Sequence, residues 1–138
     1  MGRASALGFA ATLALALAWA PAAGVAAGLN CNAAALSRAQ MAICLDAQLS
    51  RTDTQTERRV VTLGRRMGYG QYLGMLHWHH GWAEHRDGCQ TDRACLTASY
   101  RAQARFLDRL QQCLDNGLQR RACLRNTLNI EREAAQRR

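Results

Sequence analysis

Residues 91–114, TDRACLTASYRAQARFLDRLQQCL, decide the fold class. Within them Leu96, Tyr100, Gln103, Leu107, Leu110 and Leu114 recur at alternating steps of four and three. That is the period of a helix burying one continuous stripe. Thr91 or Asp92 supplies the cap that opens it, and Asp115-Asn116-Gly117 supplies the stop. Upstream, Ser37 followed three residues later by Gln40 forms a capping box. It opens a first helix through Ile43 and Leu49 toward Val60, Leu63 and Met67. Gly64, Gly68, Gly70 and Gly74 then interrupt, predicting a turn; their four-residue spacing also suits close helix packing. A second helix is expected over Tyr72 to Arg86, stopped by Gly88, and a fourth from about Leu118 to Ala135. A single proline and no alternating strand pattern argue against a sheet. The expectation is all-α, a small antiparallel bundle of about four helices.

The cysteines explain how so small a bundle can persist. Residues 1–27 read as a signal peptide, with Arg3 in a short basic head, an apolar run from Ala6 to Ala20, and small residues from Ala22 to Ala27 offering cleavage sites. That run is short for a membrane span, and Gly28-Leu29-Asn30 is a poor context for lipid attachment at Cys31. All six cysteines, Cys31, Cys44, Cys89, Cys95, Cys113 and Cys123, follow this segment, so the expected setting is oxidising: the periplasm or the exterior, with no membrane span. Residues 28–138 are read as one domain whose modest core needs disulfides. An internal echo, Arg93-Ala94-Cys95-Leu96 and Arg121-Ala122-Cys123-Leu124, places a cysteine pair across a turn twice. Six cysteines can pair in many ways, but the echo favours neighbours, 31 with 44, 89 with 95 and 113 with 123. A structural zinc site is the other use of such residues, and it lacks the paired Cys-x-x-Cys spacing.

Charge limits the partners. The chain carries 18 basic residues against 10 acidic, and every basic residue is arginine. Without Arg3 the remainder keeps 17 against 10, about +7. Such a surface suits an anionic partner, or is simply the solvated exterior of an arginine-rich chain. No nucleic-acid-binding motif is present, so nucleic acid is not expected. Nor is catalysis: no serine or cysteine nucleophile has a matched base, and Asp53 with Asp87 or Glu84 would form a carboxylate pair only if the fold joined them. No cofactor is expected. All four histidines lie in one stretch, His77, His79, His80 and His85. On a helix His77, His80 and Glu84 share a face, a weak candidate site for zinc or copper to which Met67 or Met75 could add a soft ligand. The same histidines could instead tune a surface to pH, or pack with polar tips outward.

The spacing Trp82-x-x-x-Arg86-Asp87-x-Cys89 and then Cys95-Leu96-x-x-x-Tyr100, preceded by Cys31, Ile43-Cys44, Leu49 and Asp53 and followed by Leu107, resembles the LprI-type lysozyme-inhibitor-like family of small exported bacterial proteins. The resemblance covers residues 31 to about 107 and leaves 111–138 as an extension. It implies a disulfide-bonded helical domain with bridges Cys31 to Cys44 and Cys89 to Cys95, and a protein partner, a lysozyme or other muramidase. Three positions depart from the family pattern: Gln40 replaces a usual Glu, His79 a frequent Gln, and Gln103 a common Arg. If the Glu and Arg are partners elsewhere, their joint replacement removes a pair without stranding either charge. Trp82, Arg86 and Cys89 share a helical face, so Trp82 is expected in the core and Arg86 bonded to Asp53, Asp87 or helix-end carbonyls. The functional alternative has Arg86 or Arg93 exposed and reaching the two carboxylates of a muramidase cleft. Many animal lysozymes are basic, so a +7 inhibitor would meet them against net repulsion; an acidic or bacterial muramidase is the more natural target.

Overall fold

The computed structural model describes residues 28–137; the expected signal peptide lies outside the described residues. Five helices follow one another: α1 Arg38–Leu45, α2 Ala47–Arg65, α3 Tyr69–Asp87, α4 Arg93–Asp115 and α5 Arg120–Gln136. The fold is all-helical as expected, with one more helix than expected.

The extra boundary is Asp46. In extended backbone, it ends α1 and caps α2, its carboxylate accepting from the backbone N–H groups of Gln48 and Leu49. An aspartate offers the exposed amides of a helix start a better partner than the helix interior offers it. The single helix expected from Ser37 to Met67 therefore breaks there. The capping box opens α1 as read: Ser37 Oγ accepts from Gln40 N, and Gln40 Oε1 accepts from Ser37 N. Asp92 is the cap of α4, bonding the amides of Ala94 and Cys95.

Three of the four glycines take up the roles foreseen for them, Gly68 in the turn and Gly64 and Gly74 in close packing, whereas Gly70 lies inside α3 with nothing near it. The α2–α3 turn falls at Arg66–Gly68, and α3 starts at Tyr69, earlier than expected. Gly64 lies against the Tyr72 ring, and Gly74 lies where a Cβ would come 3.1 Å from Leu124. These two permit close approach of α3 to α2 and to α5.

Side chains register the helices. Asp53 with Arg86 and Glu57 with His79 set α2 antiparallel to α3; Trp82 with Ser99 and His79 with Gln103 set α3 antiparallel to α4. Asp46 with Arg93 and Arg59 with Asp108 run α2 and α4 in the same direction. Three bridges close neighbouring cysteines, Cys31–Cys44, Cys89–Cys95 and Cys113–Cys123, with Cα separations of 5.7, 5.5 and 5.5 Å. They staple the entry to α1, the α3–α4 turn and the α4–α5 turn. In the middle one Gln90 takes a positive φ of 51°.

The core has two apolar ends. One gathers Val60, Leu63, Met75, Phe106, Leu107, Leu110, Cys123 and Leu124. The other gathers Ala39, Ile43, Leu49, Trp82, Leu96 and Tyr100. Cys123 and Leu124 make α5 part of the first cluster, so residues 111–138 are not peripheral to the domain. Asp53, Thr56 and Gln103 form a buried polar layer between the two ends along α2 and α4, which the buried Arg86, one turn beyond Trp82 on α3, joins through Asp53.

Two glycine replacements report this packing with opposite signs. Gly81 sits in the middle of α3 with nothing within 4 Å of an added Cβ, so Gly81→Ala should raise stability by about 0.5–1 kcal/mol through helix propensity. Gly64→Ala drives a methyl into the Tyr72 ring and should lower stability by about 1–3 kcal/mol. Urea unfolding midpoints measure both.

Candidate functional site

Arg86, from the last turn of α3, is 3% exposed and is the centre of the polar layer. Its Nε and Nη2 donate to Asp87 Oδ1 at 3.0 and 2.8 Å, and its Nη1 donates to Asp53 Oδ1 at 3.1 Å. Its guanidinium also lies 5.2 Å from the Trp82 ring centroid and 5.9 Å from that of Tyr100. The cation is therefore hydrogen-bonded to both carboxylates and lies within cation–π distance of two aromatic rings.

The carboxylates are equally committed. Asp53, 1% exposed, accepts from the Tyr100 hydroxyl at 2.7 Å through Oδ1 and from the Leu29 backbone N–H at 2.7 Å through Oδ2. Asp87 Oδ2 accepts from Gln40 Nε2 at 3.0 Å and from Ser37 Oγ at 3.1 Å. Burial, then the hydrogen bond to the Asp53 carboxylate, hold the Tyr100 hydroxyl far above the ordinary range of a phenol, so it stays a neutral donor. One cation and two anions thus bind together the segment before α1 and helices α1, α2, α3 and α4.

This arrangement corrects part of the sequence reading. Arg86 is one of two candidates for an exposed contact with a partner, and burial removes it from that role. Its environment combines two of the structural partners foreseen, Asp53 and Asp87, and adds Tyr100, which was not foreseen. Ile43, Leu49, Leu96 and Leu107 are buried beside Trp82 and Tyr100 or in the other apolar end. The chemistry-bearing positions of the motif are spent inside the molecule.

Gln40, His79 and Gln103 have partners of their own. Gln40 bonds Asp87, whereas Gln103 Nε2 donates to His79 Nδ1 at 3.1 Å. The two glutamines therefore belong to separate bonds and are not a substituted pair. Across the ring, His79 Nε2 lies 2.8 Å from Glu57 Oε1, and the imidazole stacks on Trp82 with centroids 5.2 Å apart. Glu57, His79 and Gln103 form a second chain linking α2, α3 and α4. Both ring nitrogens are occupied, so His79 has no lone pair left for a metal or a substrate proton.

The remaining histidines do not assemble. His77, His80 and His85 are exposed, and His80 reaches Glu84 at 3.4 Å with both side chains more than two thirds exposed. Among the described residues no three His, Cys, Asp or Glu side chains converge as a metal ligand set. The face of His77, His80 and Glu84 that the sequence offered is formed, but as an open surface. Asp53 and Asp87 do come together, around Arg86 and not around a cavity with a free carboxyl.

Arg93 lies at the other end of the scale, with a side chain 60% exposed. Its Nε donates to Asp46 Oδ2 at 2.6 Å and its Nη2 to Gln48 Oε1 at 3.0 Å. The hydrogen bond from Arg93, then the amide of Leu49, hold the Asp46 carboxyl below the usual range. Arg93 is available at the surface, but it is tethered to the junction of α1 and α2.

No protein-family model, no curated protein and no solved structure matches the chain. No described helix is long and apolar enough to cross a membrane.

Arg86→Met leaves two carboxylates facing a buried apolar group and should cost about 3–5 kcal/mol. Tyr100→Phe removes the hydroxyl's bond to Asp53 and the longer one it accepts from Arg86 and should cost about 1–3 kcal/mol; chemical denaturation of the two variants gives the comparison. The Asp46 contribution has a defined pH window. Because its folded pKa is depressed, the stabilisation is present above the unfolded value near about 4 and disappears as pH falls through the lower folded value. Asp46→Asn should lower Tm at neutral pH and flatten the fall of Tm with acid below about pH 4.

Proposed function

We propose that the chain is an exported binding protein, resident in the periplasm or outside the cell, that blocks a lysozyme or other muramidase by occupying its active-site cleft. The observation that carries this reading is the division of charge. The carboxylates with structural work are drawn inward or into pairs, while Arg101, Arg105, Arg121 and Arg125 stand exposed with no acidic partner among the described residues. An unpaired arginine matches a carboxylate in two parallel hydrogen bonds, and glycan-cleaving sites present two carboxylates. Blocking such a cleft takes a rigid surface and no reaction.

Three further features support it. The resemblance over residues 31–107 carries an inhibitor expectation. The three disulfides suit an oxidising compartment. The buried groups that could do acid–base chemistry, Asp53, Tyr100 and His79, are all engaged in internal bonds, which favours binding over catalysis. The net positive charge favours an acidic or bacterial muramidase over the basic animal enzymes.

Titration of oxidised residues 28–138 against animal-type, goose-type and bacterial muramidases is the test. Stoichiometric inhibition of an acidic enzyme is expected, weaker at physiological than at low salt and lost on reduction. Failure to inhibit any of the three classes overturns the reading.

A further inference from the structure

We propose that the groove between α3 and α4, beside the Cys89–Cys95 bridge, is a docking site for a protein loop that presents a carboxylate next to an apolar side chain. The inference goes beyond the inhibitor reading, because it names the contact surface and does not require the partner to be a muramidase.

The groove encloses about 510 Å³. It exists because of a local change in side-chain size. The inward stripe of α4 is large, Leu96, Tyr100, Phe106 and Leu107, but the adjoining positions Ala98 and Ala102 are methyl groups one turn apart and do not fill the space toward α3. Trp82 and the disulfide complete an apolar base that can cover one aliphatic or aromatic side chain. The Trp82 indole N–H is already donated to the Ser99 carbonyl at 3.2 Å, so the indole offers its ring alone.

Two observations give the occupant its charge. Arg101 and Arg105 flank the groove one turn apart on α4, both exposed, and His85 faces them from α3. Neither arginine has an acidic partner among the described residues, although Arg59, Arg66, Arg93 and Arg109 each have one. Like charges at i and i+4 repel. An incoming carboxylate relieves this repulsion and gains a fork of donors. The second observation is the Ser99 hydroxyl in the groove wall, buried and without a hydrogen-bond partner. It can donate to a carboxylate or backbone carbonyl that enters.

The shape selects a protein over other anions. Two arginines one turn apart match one or two carboxylates. A polyanion gains little from so short a basic track, since its binding depends on many successive charges.

The experiment is an amide and indole chemical-shift titration of oxidised residues 28–138 with an end-blocked Glu-Leu-Glu-Ala peptide and with its glutamine analogue. Saturable shifts at Ala98, Ser99, Ala102 and the Trp82 indole are expected with the acidic peptide. The glutamine analogue should bind at least tenfold more weakly. Arg101→Glu with Arg105→Glu, at exposed positions that leave the core intact, should abolish the shifts without changing Tm. Ala102→Leu should abolish them by filling the groove while keeping both charges. Equal binding of the two peptides, shifts centred on another face, or the same groove shifts on titrating phosphatidylglycerol vesicles or polyglutamate at matched anionic charge with no response to the peptide would each overturn the proposal. Muramidase inhibition without any binding of the acidic peptide overturns the groove and leaves the inhibitor reading standing; groove binding without inhibition of any muramidase does the reverse.

Discussion

A guanidinium buried in a protein interior must be answered bond for bond, and in this molecule that requirement falls on Arg86. Removing its charge from water costs several kcal/mol, repaid only when each donor has a well-placed acceptor. The acceptors come from residues far apart in sequence, Asp53 on α2 and Asp87 at the end of α3. Their remaining lone pairs then need donors, which Tyr100, Leu29, Gln40 and Ser37 provide. Satisfying one cation fixes the mutual placement of four helices and of the segment that precedes them. Apolar contacts supply most of the stabilisation, but they would tolerate a helix sliding by a turn; this network would not.

The second polar chain, Glu57 to His79 to Gln103, extends the same logic one layer along the bundle. Trp82 joins the two, stacking on His79 and lying over Arg86. Gln40, His79 and Gln103 are thus connected to the Trp82–Arg86–Asp87 motif, Gln40 through Asp87 and the His79–Gln103 bond through Trp82.

The sequence revealed α4 almost to the residue, because a stripe at steps of four and three bounded by an aspartate cap and Asn116-Gly117 is dictated locally. The neighbour pairing of the cysteines was legible for the same reason: each partner lies across one turn. Asp46 was not recognised as a break because Leu45 and Ala47 continue the helical pattern on both sides, and a cap acts through backbone geometry that the apolar period does not record. The site was less legible. Arg86 had three structural options on paper and an exposed alternative; only the tertiary fold, bringing Asp53 across 33 residues, decides among them. The His79 bonds to Glu57 and Gln103 left no local mark at all. Nor did the groove beside Ala98 and Ala102, since small residues signal a cavity only when their neighbours across the interface are known.

The three bridges span only 13, 6 and 10 residues and neither nest nor cross. Loop closure is cheapest between near neighbours, so in a chain oxidised progressively from its amino end each cysteine meets its proper partner before a competitor arrives. Maturation of such a chain needs an oxidant but not an isomerase to reshuffle wrong pairs. The same layout leaves the long-range topology without a covalent tie, so the buried ions and not the sulfurs determine how the helices are arranged.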